Sequence, residues 1–141
     1  MAQTSQIISN YLRQRGIYLQ NAEKLYDDGR YRKASEMLWG AVSQTIKALA
    51  AISGIRLGSH PQISNYIKDL SIELQDRSLR TEFTNMDKLH VNFYDEVIDP
   101  GDFGLYMDLT GEYLKKLDKL IDEARPTNGS KDLPASFRIN S

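Results

Sequence analysis

The sequence predicts an all-α domain, an antiparallel up-and-down bundle of four to five helices over residues 1–124, followed by a flexible tail over 125–141. Three observations lead there. Apolar residues recur at three- and four-residue steps over long stretches, whereas no segment alternates with the period of two that marks a strand. No motif repeats at a fixed interval. Segments of about 24 residues span roughly 36 Å at 1.5 Å per residue, and helices of that length joined by short loops bury their apolar stripes best side by side. The chain's 141 residues suit one domain with a core that needs no metal or disulfide.

The first segment runs from about Thr4 to Asp28, with Ile7, Ile8, Tyr11, Leu12, Tyr18, Leu19, Ala22, Leu25 and Tyr26 on one face. Thr4 or Ser5 can cap its start, and Gly29 can end it. The second, from about Arg30 to Ser53, carries a stripe of Ala34, Leu38, Ala41, Val42, Thr45, Ile46, Leu49 and Ile52. Its small residues, Gly40, Ala41, Ala48, Ala50 and Ala51 among them, let neighbours approach closely, which makes it the central helix. Gly54 suits its C-terminal cap. In the loop that follows, Ser59 and Gln62 fit a capping box, and Pro61 suits a first helical turn. The third segment runs to about Asp76, with Ile63, Tyr66, Ile67, Leu70 and Leu74 inward. The fourth, Ser78 to Val97, has Leu79, Phe83, Met86, Leu89, His90, Phe93, Tyr94 and Val97 in its stripe. Asp99-Pro100-Gly101-Asp102 is a turn. The fifth, Phe103 to Ala124, carries Tyr106, Met107, Leu109, Tyr113, Leu114, Leu117, Leu120 and Ile121. From Pro126 the periodicity stops, and Phe137 stands alone as a residue that can dock on the body or on a partner.

Composition narrows the function. A net charge of -1 and a pI near 6.1 are not the broad positive field of a general nucleic-acid binder, though a local basic patch is compatible with them. Without cysteine there are no disulfides, thiolate metal sites or cysteine nucleophiles. With two histidines, His60 and His90, a multi-histidine metal site in one chain is not expected; neither a metal nor another cofactor is called for. The N-terminus lacks the basic-then-apolar pattern of a signal peptide. No apolar run approaches the ~20 residues that cross a bilayer. A soluble cytoplasmic protein that does not enter membranes is the expectation.

Few residues carry chemistry. His90, with Met86 a turn before it and Phe93 and Tyr94 a turn after, reads as a half-buried core or seam histidine. Its sharper reading is a polar contact in a cleft, with Asn92, Tyr94 or Asp95 as partners able to tune it. His60, at a predicted helix start, reads as a neutral capping or loop residue, since a helix N-terminus disfavours added positive charge. Arg30, Arg32 and Lys33, with Arg13 and Arg15 on the first helix, form either ordinary solvated charge or a basic edge for phosphate. Arg77 and Arg80 add charge at the start of the fourth segment. Tyr31 can offer a base a stacking face. Asp95, Glu96, Asp99 and Asp102 read as a solvated acidic corner rather than a cation site, because the spacing is not that of a calcium loop.

The run Gly29–Ala41, then Lys47-Ala48-Leu49-Ala50, Ser59-His60 and Leu89-His90-Val91-Asn92-Phe93-Tyr94 resembles the archaeal PaREP-type branch of the HEPN superfamily, over roughly residues 17–121. The resemblance implies a helical bundle, often a homodimer. Many members are metal-independent RNases whose motif is an Arg, four to six residues, then a His, with two subunits converging on one cleft. His90 matches that His, but the Arg window falls on Phe83, Thr84 and Asn85. Arg80 lies ten residues before His90, and Lys88 points away from it. Toxin-like members carry a Tyr two residues after the His; here that position is Asn92, and Tyr94 is four after. The leading expectation is therefore a non-enzymatic module binding RNA, a nucleotide or a protein partner through His90, Asn92, Tyr94, Arg30, Arg32 and Lys33. The first alternative is a divergent RNase using His90 with an Arg from the partner subunit. The second is a tetratricopeptide-like scaffold, suggested by Tyr26–Ala34, of which only one unit is visible although a stable stack needs about three.

Overall fold

The computed structural model describes residues 2–125, and these form five helices: α1 (Ala2–Asp27), α2 (Tyr31–Ile52), α3 (His60–Glu73), α4 (Arg77–Asp95) and α5 (Phe103–Ala124). A 3₁₀ turn, Pro100–Asp102, precedes α5, and no strand occurs among the described residues. The tail expected beyond Ala124 lies, from Pro126 on, outside them. No helix among them is long and apolar enough to cross a membrane.

α2 is the central helix. It packs against α1, α3, α4 and α5, and its alanines and glycine set how closely they approach. Ala34, Ala41, Ala48 and Ala50 are fully buried. A Cβ on Gly40 would meet the Tyr18 ring of α1 at 3.1 Å, so glycine is what lets that ring lie flat on α2. The core continues through Leu38 and Ile46 of α2, Phe83 and Leu89 of α4, and Phe103 and Leu114 of α5.

Helix ends explain the connections. Gly29 and Gly54 adopt positive φ, and the amides after α1 and α2 turn back onto the last carbonyls: Arg30 N to Leu25 O at 2.8 Å, Ile55 N to Ala50 O at 3.0 Å. This glycine-terminated motif satisfies carbonyls the helix leaves free. α3 ends the same way without glycine, since Gln75 takes φ 54° while Asp76 N reaches Ser71 O. Ser59 caps α3 by accepting from Gln62 N. The reciprocal half of the expected capping box is displaced by one residue, because Gln62 Oε1 accepts from Gly58 N rather than from Ser59 N. Thr4 and Ser5 lie inside α1, which already begins at Ala2.

The pairs α1/α2, α3/α4 and α4/α5 are antiparallel neighbours, shown by Tyr26 against Tyr31, His60 against Asp87, and Leu79 against Tyr113. The α2–α3 link is different. Residues 53–59 carry the chain from the end of α2 back to the level of Trp39, where His60 begins α3. Leu57, buried within this loop, pins the return. Three side chains expected inward turn out exposed: Leu74, Tyr94 and Val97. Leu74 is the C-cap of α3 and Val97 lies past the end of α4, so the helical phase that placed them no longer applies.

Candidate functional site

Both histidines of the chain meet on one face. His60, at the first position of α3, and His90, on α4, stack with ring centroids 5.4 Å apart and planes 20° from parallel. Trp39 of α2 lies 5.2 Å from the His60 ring and 5.3 Å from the His90 ring, and Phe83 supports the indole from below at 5.8 Å. Tyr94, one turn on from His90, presents its ring edge-on at 5.6 Å. Trp39 is buried, the two imidazoles are about one-third exposed and Tyr94 is largely open. The result is a shelf of π-surface with an apolar floor and a solvent-facing rim.

Each imidazole has its own carboxylate. His60 Nε2 lies 2.6 Å from Asp87 Oδ1, and His90 Nδ1 lies 3.2 Å from Glu36 Oε1. A carboxylate accepting from one ring nitrogen fixes which nitrogen carries the proton and how the ring is turned. Asp87 also gives charge placed at a helix N-terminus a counter-ion, which a capping reading of His60 did not anticipate. Trp39, Glu36 and Asp87 are not singled out by the sequence, and His60 reads there as a capping or loop residue. Their helical spacings were visible (Glu36 and Trp39 at i, i+3; Asp87 and His90 at i, i+3), but nothing local signals that the loop after α2 doubles back to bring His60 alongside.

The other expected site residues divide. Asn92 is buried and committed to structure: Nδ2 donates to Ser35 Oγ at 3.1 Å, and Oδ1 accepts from Ile98 N at 2.7 Å, holding the turn after α4. It has no ring nitrogen of His90 as a partner. Arg32 is likewise engaged, donating from Nε and Nη2 to the carbonyl of Phe93 and from Nη2 to that of Tyr94. It caps the C-terminus of α4, where a cation opposes the helix dipole, and reaches Glu96 at 3.7 Å. Arg30 and Lys33 make no ion pair among the described residues and border a cavity of about 300 Å³ between the start of α2 and the Asn92–Pro100 turn. Arg15, expected on the basic edge, is instead fully buried against Asp118 at 2.6 Å. In the window where an Arg would precede His90, Phe83 is packed under Trp39, and Thr84 bonds back to the carbonyl of Thr81. Among the described residues no group of three His, Asp or Glu side chains is arranged to hold a metal.

The model of the archaeal PaREP1/PaREP8 family matches residues 10–109. The chain belongs to this family. The matched span runs from within α1 into α5, and so includes every side chain of the imidazole–indole shelf and the whole start of α2. No curated protein and no solved structure matches the chain.

Proposed function

We propose that this PaREP1/PaREP8 protein is a HEPN-like helical module that binds single-stranded RNA or a nucleotide on the Trp39–His60–His90–Tyr94 shelf without cleaving it. The single observation that carries this reading is the shelf itself: stacked rings with hydrogen-bonding nitrogens, left open on one side. Single-stranded nucleic acids are held by stacking their bases on such surfaces, each worth roughly 1–3 kcal/mol. Arg30 and Lys33 supply the charge for phosphate, which positions the strand without reading it. Lys33 lies one turn before Glu36 on α2, so cavity and shelf follow one another along a single helix. The absence of an Arg at Phe83, Thr84 and Asn85 favours binding over cleavage. Val91 and Tyr94 of α4 and Val97 just past its end are exposed, apolar surface suited to a second copy of the chain, which would place the ligand in a cleft between subunits.

One observation favours a second reading, a metal-independent RNase. Two imidazoles, each oriented by its own carboxylate, are the parts a general base and a general acid require. A single experiment separates the two. The full-length protein is mixed, in chelator, with a labelled single-stranded oligoadenylate; binding is followed by the emission of Trp39 and cleavage by gel, with His90→Ala and Lys33→Ala alongside. The expected outcome is saturable binding of intact strand, at one strand per two chains, weakened about tenfold in either variant. Cleavage by the wild type and not by His90→Ala would establish the nuclease instead. Absence of both binding and cleavage would remove nucleic acid and leave a protein partner.

A further inference from the structure

The shelf carries its own charge balance, and that balance turns on protons. Among the described residues, the charged and titratable groups in contact with the two imidazoles are Glu36 from α2, and Asp87 and Tyr94 from α4; Trp39 closes the α2 side without charge, and Lys33 lies one turn before Glu36 on the same helix. Among the described residues, no Lys or Arg forms an ion pair with Glu36 or Asp87. With both imidazoles neutral, these four groups, the imidazoles and the two carboxylates, carry two negative charges. With both protonated, they sum to zero.

An anionic ligand meets these two states very differently. In the first, phosphates approach two part-exposed carboxylates, and like charges at that range repel. In the second, the imidazolium rings cancel the carboxylates and gain attraction from the indole face, whose centroid lies within about 6 Å of both rings. The imidazoles are also 5.4 Å apart, close enough that protonating one opposes protonating the other. A ligand phosphate placed beside them offsets that repulsion.

We infer that the His60–His90 pair couples nucleotide binding to proton uptake, so that this face holds an anionic nucleotide in the protonated state and releases it in the neutral one. The inference rests on the nucleotide-binding reading above and adds its regulation. By linkage, each proton taken up on binding changes the association constant by up to about tenfold per pH unit. Histidine is the side chain whose charge ordinarily changes between about pH 5 and pH 8, which sets the two pH values at which the coupling is tested.

The test uses the full-length protein and its single tryptophan, whose emission is quenched by an imidazolium in ring contact. A 5′-phosphorylated oligoadenylate is titrated at about pH 7.5 and about pH 5.5, with uncharged adenosine as a parallel probe, against wild type, the double variant His60→Gln/His90→Gln, and the pair Glu36→Gln/Asp87→Asn. The expected result is binding of the oligonucleotide at least about tenfold tighter at the lower pH, with adenosine unaffected. The double histidine variant loses the pH effect, and the carboxylate pair binds more tightly near neutrality with a smaller effect. The carboxylate pair keeps the test decisive if the histidine double variant does not fold. Equal wild-type affinity at the two pH values, an effect retained without the histidines, or the same effect with adenosine would each overturn the inference alone. Absence of binding at either pH would overturn the nucleotide reading and the inference with it. That case is recognised by a Trp39 emission that still titrates in the ligand-free wild type and not in the histidine double variant.

Discussion

At the scale of single residues, Arg15 sets the largest stake in the fold. Its guanidinium is fully buried between α1, α2 and α5, reaching Asp118 at 2.6 Å and Thr45 at 3.5 Å, and its Nε and Nη2 have no hydrogen-bond partner among the described residues. Desolvating a charge costs several kcal/mol, and removing only one partner leaves the other stranded. Asp118→Ala is therefore expected to lower stability by about 3–5 kcal/mol in urea unfolding. Arg15→Met combined with Asp118→Leu should restore the wild-type value or exceed it, because apolar packing replaces a pair that barely offsets its own desolvation. A double variant as unstable as Asp118→Ala would show instead that the pair contributes net stability that apolar packing cannot replace. In the sequence, Arg15 looked like surface charge because it stands among polar residues of α1. Its phase with Leu12 and Leu19 was the available sign: three before and four after place it on the buried stripe. His90 was legible for the same reason, since its stripe is unbroken. Asn92 was not, because its role depends on Ser35 and Ile98, which lie on a different helix and past the end of its own.

At the scale of elements, the helices were legible wherever apolar phase and a chain-reversing residue agreed. Gly29, Gly54 and Pro61 mark ends that the structure places at or within a residue of the expected positions. Where a boundary is set by a residue of no special propensity, the reading ran long. Periodicity carries the third segment to about Asp76, yet α3 stops at Glu73 and Gln75 makes the left-handed turn that glycine makes elsewhere. A side chain in that region costs roughly 1–2 kcal/mol relative to glycine. Gln75→Gly is accordingly expected to raise stability by about 1 kcal/mol, read as a higher denaturation midpoint with an unchanged slope. A fall in stability would mean that the Gln75 side chain holds the α3–α4 corner by contacts of its own. The loop 53–59 is the element that periodicity could not decipher. A loop of that length permits either a simple reversal or a return along α2, and Leu57 decides between them by burying itself.

At the scale of the whole molecule, the far ends of the helices are tied by groups that respond to pH. Lys116 of α5 reaches Asp76 at 3.1 Å and Glu82 at 3.3 Å. Hydrogen bonds from Ser78 and then from Lys116 hold the Asp76 carboxyl below its ordinary value of 3.8. A depressed carboxyl stabilises the fold above its unfolded value, and that stabilisation disappears as pH falls through the folded value. At the other extreme, burial pushes the Tyr113 hydroxyl well above its ordinary value of 10.0, with Glu82 and Asp76 adding to the shift, and burial raises Tyr66 to about 12. Stabilisation from a raised tyrosine is complete below the ordinary value and fades as pH climbs toward the folded one. Thermal melts across pH should therefore show an acid limb that Asp76→Asn flattens and an alkaline limb that Tyr113→Phe flattens. The tyrosine variant should also start lower by about 1 kcal/mol, because the Leu79 carbonyl loses its donor. Limbs unchanged by these substitutions would assign the pH response to other groups.

The return of the chain along α2 also decides how the shelf can come apart. Its two imidazoles are delivered by unlike routes: His90 by a helix whose core face is locked between α2 and α5, His60 by a short helix that rests on α4 and α2 and is tethered by a loop. The stack is thus as durable as its less anchored half. Small excursions of α3 can part the rings while the bundle stays folded, in the manner of local openings that cost less than global unfolding. Sequence changes around Leu57 and Ser59 can then tune how often the shelf is assembled, leaving the core and the rings themselves untouched.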